Sequence, residues 1–97
     1  MKTYENIFIN GSWVKPQESN EYTDVINPAN EEIIAKVVLG SKKDVDVAAK
    51  AAKEAFKKFY NTSVDERINL LETILENYKK RYDDICLAIS SEMGAPM

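Results

Sequence analysis

The chain has 97 residues, with 13 lysines and arginines against 16 aspartates and glutamates, no histidine and one cysteine. These counts exclude a His-based catalytic triad, a His-based zinc site and an internal disulfide. A net charge of −3 also argues against a nucleic-acid partner, which would need a basic surface. The three glycines are too scattered for a G-x-G-x-x-G or Walker loop. The length suits one small domain or a piece of a larger one.

No stretch of the sequence predicts a membrane partner. The longest uninterrupted apolar run covers residues 85–89, whereas a membrane span needs about 20 residues. The N-terminus lacks the apolar segment of a secretory signal. We therefore expect a cytoplasmic protein.

The pattern of residues 1–40 predicts a β-hairpin region. The first hairpin turns at Asn10-Gly11, between the β-prone runs 7–9 and 13–14. Both turn residues tolerate the positive φ of a type I′ turn, so this dipeptide is a strong hairpin signal.

The second predicted hairpin has arms at 22–26 and 32–38, joined by a turn at 27–30 in which Pro28 fixes φ. The return arm is apolar on both faces, which predicts a strand covered on both sides. One face carries Ile33, Ala35 and Val37, and the other carries Ile34 and Val38.

Residues 41–97 predict a helical region. The first helix begins at Ser41, which forms a near-complete capping box with Asp44. The second begins at Ser63, where a capping box with Glu66 is predicted. Gly94 is expected to end the last helix in the left-handed conformation.

The number of helices between Ser63 and Gly94 stays open from the residues alone. Apolar residues recur every seven positions and no glycine or proline intervenes, which favours a single helix about 45 Å long. The alternative is a break near Tyr82-Asp83, with Asp83 as the N-cap of a third helix.

The candidate catalytic groups favour structural roles. Cys86 lies on an apolar helical face with no base or cation placed to lower its pKa, so we expect a buried hydrophobic side chain. Asp83 and Asp84 point about 100° apart on a helix, which fits a helix start better than a paired acid and base.

The motifs form an ordered set along the chain: INGSWV at 9–14, DVINPAN at 24–30, DVDVA at 44–48, SVDER at 63–67 and EMGAP at 92–96. In this order and spacing, they resemble the N-terminal part of the aldehyde dehydrogenase superfamily. The resemblance implies an α/β parent with a Rossmann-like fold, in which the two hairpins and two to three helices of this chain form the N-terminal part of the NAD(P)-binding domain. It also implies a break in the long helical stretch, which favours the Asp83 cap.

The resemblance implies a parent enzyme that oxidises an aldehyde to a carboxylic acid with NAD or NADP. In that family, a cysteine thiolate attacks the carbonyl and a glutamate-activated water cleaves the thioester. These residues lie far downstream in the family pattern, and Cys86 does not match the catalytic cysteine. We therefore expect a fragment with no catalytic or cofactor-binding residues, and a reading frame that continues past Met97.

One metal site is implied by the resemblance. Some family members bind Na⁺ or K⁺ through backbone carbonyls equivalent to those of Val25 and Ile26, together with an acidic side chain equivalent to Glu92. The alternative role of Glu92 is local capping or pairing.

The resemblance implies a homo-oligomeric parent, and we expect the fragment to self-associate through its uncovered apolar surface, by exchanged helices or edge-strand pairing. The alternative function is a stand-alone helical interaction or oligomerisation module.

Overall fold

The computed structural model describes residues 1–97, which form five strands and three helices. In chain order these are β1 (Lys2–Tyr4), β2 (Ile7–Ile9), β3 (Ser12–Val14), β4 (Tyr22–Asn27), β5 (Glu32–Val38), α1 (Lys42–Phe59), α2 (Val64–Lys80) and α3 (Tyr82–Met93). The two predicted hairpins are therefore confirmed as β2–β3 and β4–β5. No helix combines the length and the hydropathy that a membrane span requires.

The β2–β3 hairpin turns as its sequence predicts. Ile7 pairs with Val14 and Ile9 with Ser12 in an antiparallel ladder. Asn10 and Gly11 have φ values of 52° and 78°, as a type I′ turn requires. Phe8 and Trp13 lie opposite each other with ring centroids 5.1 Å apart.

The second sheet has the order β1-β5-β4. The β4–β5 pair is antiparallel, whereas β1 runs parallel to β5 with Lys2 opposite Ala35. The sequence did not predict β1, because a short polar-flanked run such as Lys2–Tyr4 becomes a strand only through its distant partner.

A bulge in β5 corrects the predicted arrangement of its two faces. Val25 pairs with Ala35 and Ile26 with Ile33, which leaves Ile34 as the additional residue. Ile34 therefore lines the same groove as Ala35 and Val37, rather than the opposite face with Val38. Ala35 and Val38 are the two buried apolar side chains of the chain, which agrees with coverage of β5 on both sides.

A buried carboxylate joins α1 to the loop that precedes β4. Asp44 is 4% exposed, and its Oδ2 accepts hydrogen bonds from the backbone N–H and hydroxyl of Ser41 at 2.7 and 3.0 Å. Its Oδ1 accepts from the backbone N–H of Gln17 at 2.9 Å, and the Ser41 hydroxyl accepts from the Asp44 N–H. The near-complete capping box is thus complete, and it also fixes a loop 27 residues away in sequence.

The start of α2 departs from its prediction in one respect. The Ser63 hydroxyl accepts a hydrogen bond from the Glu66 N–H at 3.1 Å, but the Glu66 side chain does not return to the Ser63 backbone. Only half of the predicted capping box forms. Arg67 instead secures the turn between α1 and α2, since its Nε donates to Thr62 at 2.9 Å and its guanidinium lies 5.2 Å from the Phe59 ring centre.

Two helices, not one, occupy residues 64–93. The break lies at Arg81, with φ −110° and ψ 19°. Asp83 is the second residue of α3 and provides no side-chain cap, so the predicted Asp83 cap is wrong. Asp84 lies 3.5 Å from the Arg81 guanidinium, which fits the helix-start role expected for this acidic pair.

The chain forms a thin plate. Its extents are 48 × 36 × 15 Å and its radius of gyration is 17.1 Å, against about 12.5 Å for a compact domain of this length. Its accessible surface is 8234 Å², whereas a compact monomer of its mass exposes about 5,600 Å². Roughly 2,600 Å² of surface is therefore exposed beyond what a compact fold leaves.

The Asp44 contacts predict an acid-sensitive element. Hydrogen bonds from the backbone of Ser41, then from that of Gln17, lower the pKa of Asp44 below 3.8. The ionised carboxylate therefore stabilises the fold fully above pH 3.8, and this contribution is lost as the pH falls through the lowered folded-state pKa. We expect Asp44→Asn to reduce the free energy of unfolding at pH 7, and to reduce the further loss of stability on acidification, in urea titrations from pH 7 to 2.

Asp46→Asn is the matched control, because Asp46 is an exposed carboxylate on the same helix. It is expected to keep stability at pH 7 close to that of the unchanged chain. Equal losses in the two variants would contradict a special role for Asp44.

Candidate metal centre

The end of α3 is held against the turn between β4 and β5. Gly94 has the predicted left-handed conformation, with φ 73°. A Cβ at this position would lie 3.1 Å from the backbone nitrogen of Ala29 and 3.2 Å from the Pro28 ring. The backbone approach therefore needs glycine for two reasons, the positive φ and the space. The Ser90 hydroxyl holds the residues after α3 in place by donating a hydrogen bond to the Ala95 carbonyl at 2.7 Å.

This docking leaves a groove of about 540 Å³ between α3 and the three-stranded sheet. Seven of its ten lining residues are hydrophobic, so the groove is mainly apolar. Lys2 and Glu92 are the two charged side chains on its walls.

Two of the three residues predicted for a cation site meet in this groove. Val25 lines it from β4 and Glu92 lines it from the last turn of α3. Ile26 is beside Val25 at the bulge, but it is not among the lining residues and its side chain is 50% exposed.

The chemistry of this donor set suits a hard monovalent cation. The prediction invokes backbone carbonyl oxygens of two residues and one carboxylate, which are ligands of the type that hard cations prefer. The structure contains no group of three or more His, Cys, Asp or Glu side chains that could hold a metal ion. The carbonyl-and-carboxylate set stays a prediction.

Cys86 is half-buried, so the prediction of a buried cysteine is only partly correct. It neighbours the Tyr82 hydroxyl, whose pKa is raised first by a hydrogen bond with Cys86 and then by the nearby charges of Cys86, Tyr78 and Asp83. The thiol's neighbour is thus a phenol, which is itself a weak acid and does not activate a thiol as a base at neutral pH.

The sequence model of the aldehyde dehydrogenase family matches residues 13–97. The chain belongs to the aldehyde dehydrogenase family. The resemblance deduced from the ordered motifs is thereby confirmed.

Individual family members match the whole chain. Proteins provisionally named as aldehyde dehydrogenases in Staphylococcus aureus strains RF122 and USA300 are each 50% identical to it over 97 residues. A crystal structure of an aldehyde dehydrogenase from Bartonella henselae is 44% identical and superposes with a TM-score of 0.93 over 99% of the chain. The α/β fold class is therefore confirmed.

The match covers all of this chain but only part of each relative. The chain spans 20% of the length of the two Staphylococcus proteins and 20% of the Bartonella chain. It corresponds to an N-terminal segment of the family.

The Gly94 contact gives a prediction with an internal control. Gly94→Ala would place a methyl group against Ala29 and Pro28 in a left-handed conformation, whereas Gly11→Ala meets nothing within 4 Å at a φ of 78°. We expect Gly11→Ala to cost about 1 kcal/mol through φ alone. Gly94→Ala should cost more, because the contact strain is added.

Urea unfolding of both variants measures this difference. Amide hydrogen exchange should also show faster opening of the last turn of α3 in Gly94→Ala. Equal costs for the two variants would mean that the contact with the β4–β5 turn contributes no stability.

Proposed function

We propose that this chain is the N-terminal part of the NAD(P)-binding domain of an enzyme that oxidises an aldehyde to a carboxylic acid. The main support for this proposal is the superposition on the Bartonella enzyme, which includes nearly the whole chain but only a fifth of that structure. In this proposal, the hairpin region 1–40 and the helical region 41–97 are two parts of one domain.

The exposed surface supports an assembly role rather than an independent one. Three of the 97 residues are buried, and roughly 2,600 Å² is exposed in excess of a compact fold. That excess is larger than the surface that one partner contributes to a typical stable protein interface, which is about 800 Å². Further polypeptide of the parent enzyme would cover such surface.

The proposed chemistry assigns this chain a scaffold role. In the parent, NAD or NADP accepts the hydride, and a cysteine supplied by other sequence forms the thioester. The residues present here do not fit a dinucleotide site, because Gly11, Gly40 and Gly94 lie in a hairpin turn, a loop before α1 and a helix end, with no glycine-rich phosphate loop among them. The chain would act by supporting the domain that holds the cofactor.

The cation site belongs to the same proposal. Val25 and Glu92 share one groove, and the carbonyl of the neighbouring Ile26 would complete the set for Na⁺ or K⁺. The bound ion would join β4 to the end of α3, next to the Gly94 contact, and its role would be structural.

A homo-oligomeric parent acting on a small-molecule aldehyde in the cytoplasm completes the proposal. Membership of the aldehyde dehydrogenase family supports the substrate class. The oligomeric state and the location remain predictions.

A chimera tests the proposed function. The equivalent fifth of the Bartonella enzyme is replaced by residues 1–97, and NAD⁺ or NADP⁺ reduction is followed at 340 nm with a panel of aldehydes. We expect aldehyde-dependent reduction by the chimera and none by the 97-residue chain alone. The 44% identity and the TM-score of 0.93 over 99% of the chain support exchanging this segment.

The control is the same chimera carrying Gly94→Val, which should lose activity and melt at lower temperature because the α3 end cannot dock. A correctly folded but inactive chimera would contradict the proposal. Turnover by the isolated chain would contradict the scaffold role.

The cation proposal has a separate readout. We expect K⁺ or Na⁺ to raise the melting temperature of the chimera relative to choline at equal ionic strength, and Glu92→Gln to remove that increase. Glu76→Gln, an exposed carboxylate on α2, is the matched control and should keep it. Equal ion responses of the Glu92 and Glu76 variants would exclude the site.

A further inference from the structure

The groove between α3 and the three-stranded sheet contains two opposite charges. Lys2 lines it from β1 and Glu92 from the last turn of α3, and these are its only charged side chains. Because seven of the ten lining residues are hydrophobic, the walls offer few other polar partners to either group. The two charges therefore act chiefly on each other and on any ion that enters the groove.

The strand register places Lys2 in line with the proposed cation ligands. Lys2 and Val25 both lie opposite Ala35, one on each side of it, and all three residues line the groove. Neighbouring strands are about 4.8 Å apart, so Lys2 is roughly 10 Å from Val25 across the sheet. The lysine side chain is a flexible four-carbon stem, which lets its ammonium group cross much of that distance.

The Lys2 ammonium has no carboxylate partner of its own. The three ion pairs of the structure are made by Lys43, Lys57 and Arg81. Neither Lys2 nor Glu92 takes part in them, and both residues are exposed. The ammonium group is therefore able to move toward the carboxylate on the facing wall.

We propose that Lys2 competes with Na⁺ or K⁺ for the Glu92 carboxylate and thereby sets how strongly the groove binds a cation. This inference rests on the cation site proposed above. An ammonium group carries the same charge as these ions and also binds oxygen acceptors. While it pairs with Glu92, that carboxylate is not available to a metal ion, and at any other position in the groove its charge repels the ion. Both effects weaken cation binding.

Sodium binding by the full 97-residue chain tests the competition. It is followed as broadening of the sodium NMR signal, with choline keeping the ionic strength constant. Lys2→Met removes the charge but keeps a long side chain, and we expect it to lower the Na⁺ dissociation constant about fivefold, the effect of one charge several ångströms away in a partly screened site. Lys2→Arg keeps the charge and should bind Na⁺ as the unchanged chain does.

Lys36→Met is the matched control. Lys36 lies on β5 between Ala35 and Val37, which face the groove, so its side chain projects from the opposite face of the sheet. Its loss should change the dissociation constant less than about twofold, because solvent and salt screen a charge on that face. The α-amino group of Met1 is common to all variants and does not explain a difference between them. Circular dichroism verifies that each variant is folded.

A double variant separates the competition from the cation site itself. Adding Glu92→Gln to Lys2→Met should abolish the gained Na⁺ binding. Equal affinities of the unchanged chain and Lys2→Met, both lost with Glu92→Gln, would overturn the competition and leave the cation site standing. Absence of Na⁺ binding from every variant would overturn both, whereas the enzymatic proposal is tested separately by the activity of the chimera. A gain in Lys2→Arg as large as that in Lys2→Met would also overturn the competition, since the charge would then not be the cause.

Discussion

The chain is too thin to be stabilised mainly by a hydrophobic core. One dimension is only 15 Å, whereas stable domains pack two or more layers around a shared core. Here Ala35 and Val38 are the only buried apolar side chains. Hydrophobic burial within the chain is therefore small, and the elements are held in place chiefly by strand ladders, caps and a few specific contacts.

Two of those contacts attach helices to loops of the hairpin region without a hydrophobic core. At one end, the Asp44 carboxylate accepts hydrogen bonds from Ser41 and from Gln17, and so fixes the start of α1 to a distant loop. At the other end, Gly94 brings the close of α3 against Ala29 and Pro28. One contact is polar and depends on ionisation, whereas the other is steric and depends on a missing side chain. Helix α2 lies between α1 and α3 in the sequence, and it has neither a buried carboxylate nor a close glycine contact of this kind.

Features encoded in neighbouring residues were predictable from the sequence. The Asn10-Gly11 turn, the Ser41 cap and the Gly94 helix end each depend on the φ preference or hydrogen-bonding group of a few adjacent residues. The features that escaped prediction are set by distant partners. Lys2–Tyr4 forms a strand because it pairs with β5. Ile34 lies on a different face from the one predicted because the β4–β5 pairing contains a bulge at this residue. The break that the resemblance favoured near Tyr82-Asp83 is present at the neighbouring Arg81, but the predicted Asp83 side-chain cap is not.

The candidate cation site shows how these two kinds of information combine. Nothing in the local sequence connects Val25 with Glu92, and only the family resemblance grouped them. The structure brings both to one groove because Gly94, two residues beyond Glu92, fits against the turn that follows β4. The position of Glu92 near β4 thus depends on Gly94, a residue that has no functional side chain.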